Sequence, residues 1–179
     1  MNPKTSLLAN RPAIKFILKF LILLILVGIL YSQFITSYHE QTLWMMNATA
    51  AIAGKSLSIF SSGVSIQDAR VTYRGFQVEI IDECTGFFEA LIFVAAVLAF
   101  AAPIKKKILG IALGVPAIYI LNIIRIIFLL LAGSVSQRLF DFMHLYFWQG
   151  TLILMISAVW IAWIYLVVYN EKKPADISA

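Results

Sequence analysis

Two ionisable side chains lie within apolar stretches of this sequence, where a charge is costly. Glu89 lies in FFEALIF and Arg125 in LNIIRIIF. Ionisable residues in such surroundings face protein or water, and they often mark functional sites. Asn122 precedes Arg125 by one helical turn, so the two residues share a helix face. A simpler alternative is that Arg125 pairs with Glu89 and holds two helices together.

Cys84 is the one cysteine of the chain, so an internal disulfide is excluded. It lies in DECTGFFE, at the predicted start of a helix. A helix N-terminus and a nearby cation, here Arg125, both lower a thiol pKa and favour the nucleophilic thiolate. Asp82 and Glu83 oppose that effect unless they point away. The alternative is a packed structural cysteine.

His144, in FDFMHLYFWQG, is the second candidate for proton chemistry. The alternative is an interfacial histidine among aromatic residues, which is also how we interpret His39. A cysteine nucleophile, a histidine acid/base and an arginine for the oxyanion are the parts that acyl transfer requires. Cys84, Glu89 and His144 lack the spacing of metal ligands, so no metal or other cofactor is expected.

The elements that must position these residues are set by composition. Of 179 residues, 61% are hydrophobic and 13% charged, whereas soluble domains average about 45–50% and about 25%. This excludes a soluble enzyme and indicates an integral membrane protein. Four segments are long enough to cross a bilayer as helices: 14–34, 85–102, 108–132 and 145–169. The predicted fold is therefore all-α, with four transmembrane helices in a single membrane domain over 1–179.

The distribution of charge predicts the orientation. Segments 1–19, 103–107 and 170–179 carry nine basic residues and two acidic ones, whereas 35–83 and 133–147 carry four basic and six acidic. The positive-inside rule then places both termini in the cytoplasm. The run Lys105–Lys107 is a topology signal, so no nucleic-acid partner is expected. Segment 1–34 lacks a small-x-small cleavage site and is interpreted as a retained signal-anchor helix.

The loop over 35–83 is then extracytoplasmic, and it precedes a catalytic core at 84–169 and a cytoplasmic tail at 170–179. Its first half, 40–60, has apolar residues at helical spacing, which predicts an amphipathic helix on the outer membrane surface. Those residues are Leu43, Met46, Ala50, Ile52 and Ala53. Residues 64–82 alternate with a period of two and predict a β-hairpin that turns at Arg74-Gly75.

Three motifs in this order, ECTG at 83–86, NIIRI at 122–126 and HLYFWQG at 144–150, resemble the signature of the exosortase/archaeosortase family. The resemblance runs from about 70 to 169 and is greatest to compact members such as exosortase H. It implies a cysteine transpeptidase of the plasma membrane with Cys84 as nucleophile, Arg125 as transition-state stabiliser and His144 as general acid/base. Asn122 and Glu89 would support them.

The resemblance also implies the substrates: secreted proteins with a C-terminal tail made of a recognition motif, a transmembrane helix and a basic cluster. The enzyme would cut at the motif, on the outer face, and pass the new carboxyl end to an unidentified acceptor. Two alternatives stay open from the residues alone. Water could be the acceptor, or the chain could be a non-enzymatic scaffold or transporter subunit with a structural Arg125–Glu89 pair. Only the predicted helix at 108–132 carries the helix breaks typical of transporters (Gly110, Gly114 and Pro116).

Overall fold

The computed structural model describes residues 11–169, without the side chains of His39, Trp148 and Gln149. The charged residues within 1–10 and 170–179, which contributed to the predicted orientation, lie outside the described residues. The helices are α1 (Arg11–Ser37), α2 (His39–Ser58), α3 (Phe87–Ala99), α4 (Ile104–Val135), α5 (Gln137–Phe142) and α6 (Trp148–Trp163). The strands are β1 (Val64–Gln67), β2 (Arg70–Tyr73) and β3 (Phe76–Glu79), followed by a 3-10 turn at Asp82–Cys84. Two π-helical turns, Met143–Phe147 and Ile164–Val168, flank α6.

Three described helical segments are long and apolar enough to cross a membrane: Arg11–Ser37, Ile104–Val135 and Gly150–Val168. They coincide with three of the four predicted spans. The helix predicted at 85–102 is shorter, because α3 begins only after Gly86 and ends where Phe100 turns to extended backbone. Its 13 residues span roughly 20 Å at about 1.5 Å per residue, less than the ~30 Å of a hydrocarbon core. The count of four spans therefore stays a prediction.

Helix α4 runs without interruption through Pro116. Its glycines are sites of close packing and do not break the helix. A Cβ atom on Gly110 would collide with the indole of Trp163, one on Gly114 with the ring of Phe93. Gly110 and Gly114, which could have indicated the broken helices of a transporter, therefore serve to bring α4 close to its neighbours.

The segment predicted as a hairpin is a three-stranded antiparallel sheet with the order β1-β2-β3. The predicted turn at Arg74-Gly75 joins β2 to β3, and a second two-residue turn at Asp68-Ala69 joins β1 to β2. Asp68 adopts a left-handed φ of 52°, which aspartate tolerates better than most residues. The hairpin prediction missed this turn because neither glycine nor proline marks it.

Helix α2 confirms the predicted helical segment, and its buried face includes Ala50 and Ala53 of the predicted apolar face but not Ile52. Ala50, Ala53 and Leu57 are buried, together with Thr42 and Thr49. Ile52, predicted on the apolar face, is 43% exposed. The buried face packs against the sheet and α4, so protein covers the side that was predicted to rest on lipid.

The interior consists of two apolar clusters stacked along α4. One joins α2, the sheet and the C-terminal half of α4, and Cys84 belongs to it. The other joins α3, the N-terminal half of α4 and the end of α6 around Phe93, Ile118 and Trp163. Asn122 and Arg125 lie on α4 among residues of the first cluster, and Glu89 lies in the first turn of α3.

Candidate functional site

Cys84 lies at the end of the 3-10 turn, three residues before α3 begins, and not at the helix N-terminus predicted for it. It is 9% exposed. The turn is held by two hydroxyls: Thr85 Oγ1 donates to the Asp82 carbonyl at 2.7 Å, and Tyr31 Oη on α1 donates to Asp82 Oδ2 at 3.2 Å. The Asp82 carboxylate thus bonds to α1, which fixes the turn that carries the thiol.

Asn122 ties the same turn to α4. Its side chain is 1% exposed, and Nδ2 donates to the backbone carbonyl of Cys84 at 2.8 Å. The approach is possible because Gly86 lies against it: a Cβ there would lie 3.1 Å from Asn122 Cγ, and the φ of Gly86 is +77°. A left-handed glycine between Cys84 and α3 is therefore required by both the turn and the contact.

Arg125 lies one turn beyond Asn122 on α4 and is 7% exposed. Its Nη1 donates to Asn122 Oδ1 at 3.5 Å. The helix runs further than predicted, so Arg125 lies ten residues before its last residue, Val135, or roughly 15 Å along the axis. The positive charge acts electrostatically on Cys84 and on His144. The charge of Arg125 thus influences both of the residues that are predicted to exchange a proton.

Burial raises the pKa of the Cys84 thiol above its ordinary value, and the charges of Glu83 and Glu89 act in the same direction. The charge of Arg125 lowers it by less. The prediction of a lowered thiol pKa was therefore wrong, since desolvation of the charged form outweighs the attraction of one cation. At neutral pH the resting side chain is a neutral thiol, so it needs a base to become a nucleophile.

His144 lies in the π-helical turn before α6 and is half-buried. Its ring stacks on Phe140 with centroids 5.3 Å apart, and Phe140 in turn packs against Phe76 of β3 at 5.1 Å. Burial lowers the imidazole pKa, and Arg125 adds to this effect while Asp141 opposes it. The ring is therefore neutral at neutral pH and able to accept a proton. His39, whose backbone begins α2, has no described side chain.

Glu89 lies in the first turn of α3 and is 8% exposed. Its charge interacts with that of Arg125, but its Oε2 has no hydrogen-bond partner among the described residues. A direct structural pair between the two therefore stays a prediction. Within residues 11–169, no three His, Cys, Asp or Glu side chains come together as metal ligands would.

The structure gives a role to four residues to which the sequence analysis assigned none. Thr85 and Tyr31 hold the 3-10 turn, Gly86 admits Asn122, and Phe140 fixes the ring of His144. The Thr-Gly dipeptide directly after the cysteine was a usable signal for the turn. No signal could have identified Tyr31, because its partner lies 51 residues away.

Comparison with known proteins identifies the family of the chain. A model of the transmembrane exosortase (EpsH) family matches residues 5–164. Archaeosortase A of Haloferax volcanii is 36% identical over 64 residues, which cover 36% of this chain and 20% of that protein. The matched part thus spans about a fifth of the length of this relative. No solved structure matches the chain. The chain is a multi-pass membrane protein, and it belongs to the transmembrane exosortase family.

Proposed function

We propose that this chain is a membrane-embedded cysteine transpeptidase that removes the C-terminal sorting tail of secreted proteins. The observation that carries the proposal is the arrangement around Arg125. Its guanidinium bonds to Asn122, which holds the Cys84 carbonyl, and its charge acts on both the thiol and His144. A neutral thiol and a neutral imidazole that share one cation are a proton donor, a proton acceptor and an oxyanion stabiliser.

The chemistry begins with attack of the Cys84 sulfur on the scissile carbonyl carbon, while His144 takes the thiol proton. Arg125 stabilises the resulting oxyanion, an effect worth about 3–4 kcal/mol in other enzymes. The C–N bond then breaks, and the imidazolium of His144 gives its proton to the leaving amine, which produces a thioester on Cys84. An acceptor nucleophile attacks the thioester and gives its proton to His144. The C–S bond breaks, and the sulfur regains that proton.

We propose four membrane crossings, with α3 as the short one. Tyr31 of α1 donates a hydrogen bond to Asp82, which lies just before α3. The ring of Phe16, near the other end of α1, contacts Phe100, which lies just after α3. Helix α3 thus follows α1 over 15 residues of the latter, roughly 22 Å of its axis. If α3 did not cross, Lys105–Lys107 would lie on the face opposite to the N-terminal lysines, against the positive-inside rule. The site then faces the extracytoplasmic side of the plasma membrane.

The proposed substrates are secreted proteins with a tail of motif, transmembrane helix and basic cluster, and the acceptor is an amine or water. The sheet is a candidate to bind the motif as an added strand. Deletion of the sheet would not test this, because Val71, Tyr73 and Ile80 belong to the core. Substitution of an exposed residue whose N–H points away from β2, for example Gln77→Pro on β3, would remove a backbone donor from the sheet edge and keep the core.

The decisive experiment is co-expression with a candidate tail-bearing substrate, beside the Cys84→Ala and Cys84→Ser variants. We expect the tail to be lost with the wild type only. The mass of the new C-terminus then separates transfer to an acceptor from hydrolysis. Equal processing by wild type and Cys84→Ala would refute the cysteine mechanism.

A non-enzymatic membrane scaffold is the second candidate, and the burial and raised pKa of Cys84 favour it. It predicts that Cys84→Ala changes nothing, while Arg125→Ala destabilises the fold by removing the partner of a buried carboxylate. Thermal unfolding of both variants in detergent, measured beside the processing assay, distinguishes the two functions.

A further inference from the structure

An apolar groove of about 580 Å³ lies between α2, α3 and α4. Its lining comprises Trp44, Met45, Ala48, Thr49 and Ile52 of α2, then Thr85, Gly86, Phe87 and Ala90, then Val115, Pro116 and Tyr119 of α4. These residues carry no charge. The hydroxyls of Thr49 and Tyr119 lie 3.3 Å apart and bond to each other. We call this cavity the lateral groove. Its lining contains none of the three proposed catalytic residues, Cys84, Arg125 and His144.

The lateral groove begins beside the proposed nucleophile. Thr85 and Gly86, which directly follow Cys84, line one end of it. Gly86 also contacts Asn122, which holds the Cys84 carbonyl. The backbone of residues 85–86 therefore separates the groove from the polar site by the thickness of one chain.

From that end the groove runs along α4 towards the N-terminal half of the helix. The residues that line it on α4, Val115, Pro116 and Tyr119, precede Asn122 by three to seven residues, or roughly 4–11 Å along the axis. The far end of α4 begins with Lys105–Lys107. The groove thus leads from the thiol in the direction of the basic end of the span.

Small residues line the groove on two helices. Ala90 of α3 and Ala48 of α2 both belong to its lining. Small side chains let a second helix approach closely within a membrane, where packing rather than hydrophobicity drives association. Their presence on two helices of the lining favours a helix as occupant over a disordered lipid chain.

We infer that the lateral groove binds the first two or three turns of the apolar helix that follows the scissile bond of the substrate. This inference rests on the proposed function. A peptide whose scissile carbonyl lies at Cys84 continues past residues 85–86, where the groove begins. On α2 its lining runs from Trp44 to Ile52, roughly 12 Å of helix axis, which matches slightly more than two turns of a bound helix. Its uncharged lining suits an apolar sequence.

The first test is disulfide mapping in the Cys84→Ser background, which removes the one native cysteine. Ala48→Cys places a thiol in the groove, and Ile120→Cys, 59% exposed on α4 and outside the groove lining, is the control. Tail-bearing substrates carry a single cysteine at successive positions after the motif. We expect Ala48→Cys to form disulfides at positions three or four residues apart, and Ile120→Cys to form few.

The second test narrows the groove in the active enzyme. Ala48→Leu should raise KM for a full-length tail by about tenfold or more, with kcat little changed. It should leave cleavage of a short peptide that ends just after the motif unaffected. Ala51→Leu, on the same helix but outside the groove lining, is the matched control.

Equal disulfide yields at Ala48→Cys and Ile120→Cys, or equal KM for the two leucine variants, would overturn the assignment and leave lipid as the occupant. Failure of the wild type to cleave either substrate would instead refute the proposed function. Cleavage of the short peptide with wild-type KM by Ala48→Leu is the result that separates the groove from the catalytic site.

Discussion

Asn122 offers a precise test of how the nucleophile is positioned, because a single hydrogen bond joins it to the Cys84 backbone. Asn122→Ala removes the donor and leaves the Cys84 carbonyl without this partner in a buried site. An unsatisfied buried acceptor costs about 1–3 kcal/mol. The bond to Arg125 contributes little to this sum, since 3.5 Å is at the limit of hydrogen-bond geometry.

The effect on activity should exceed the effect on stability. The bond holds the turn that carries the thiol, and a misplacement of about 1 Å in an active site costs about 100-fold in rate. We therefore expect the free energy of unfolding to fall by about 1–3 kcal/mol, and kcat/KM for tail cleavage by about 100-fold. Thermal unfolding in detergent and a mass-based cleavage assay measure the two quantities.

Asn122→Asp separates the two partners of the asparagine. A carboxylate cannot donate to the Cys84 carbonyl, but it strengthens the interaction with Arg125. If the bond to Cys84 is what matters, Asn122→Asp should be as inactive as Asn122→Ala. Asn47→Ala, at a half-buried asparagine of α2, controls for side-chain loss alone. A folded Asn122→Ala protein with wild-type kcat/KM would refute the reasoning.

Four further predictions follow. Gly86→Ala should lose about 1–2 kcal/mol of stability, because alanine is strained at a left-handed φ and its Cβ meets Asn122; an unchanged melting temperature would contradict this. Arg125→Lys should lower kcat about 100-fold or more while circular dichroism stays native, since a point charge cannot replace the planar fork. Labelling of Cys84 by iodoacetamide should have a pH midpoint above that of a small thiol measured in parallel, because its pKa is raised; a lower midpoint would rule out the neutral-thiol mechanism. His144 must be neutral to accept a proton, and its pKa is lowered, so kcat/KM should rise with pH with a midpoint below the pKa of free imidazole. A midpoint above the pKa of free imidazole would contradict the role of His144 as the base.

The membrane class and most helices could be predicted from the sequence, because hydropathy is a local property. Segments 14–34, 108–132 and 145–169 coincide with the described helical spans, although the ends of α4 and α6 differ by several residues. The motifs around Cys84, Asn122, Arg125 and His144 were also visible, because costly polar residues in apolar segments stand out. Their order along the chain was enough to indicate the family that the comparison shows.

Tertiary structure decided how these residues meet. The start of α3 at Phe87 depends on the left-handed Gly86, and that glycine is required by its contact with Asn122 on another helix. Strand β1 pairs with β2 through a turn at Asp68 that carries no strong local signal, so the sequence predicted two strands where the structure has three. Such features are set by contacts between residues distant in sequence, and local patterns do not record them.

The protonation of the thiol shows the difference most clearly. From the sequence, a helix N-terminus and a cation suggested a lowered pKa for Cys84. The fold places Cys84 ahead of the helix and within the apolar cluster of α2, the sheet and α4, so desolvation outweighs Arg125 and the pKa rises. Local sequence was enough to identify the ionisable groups and to place them near the ends of apolar segments. The balance of burial against charge required the folded chain, because both effects on a pKa depend on the atoms that surround the group in space.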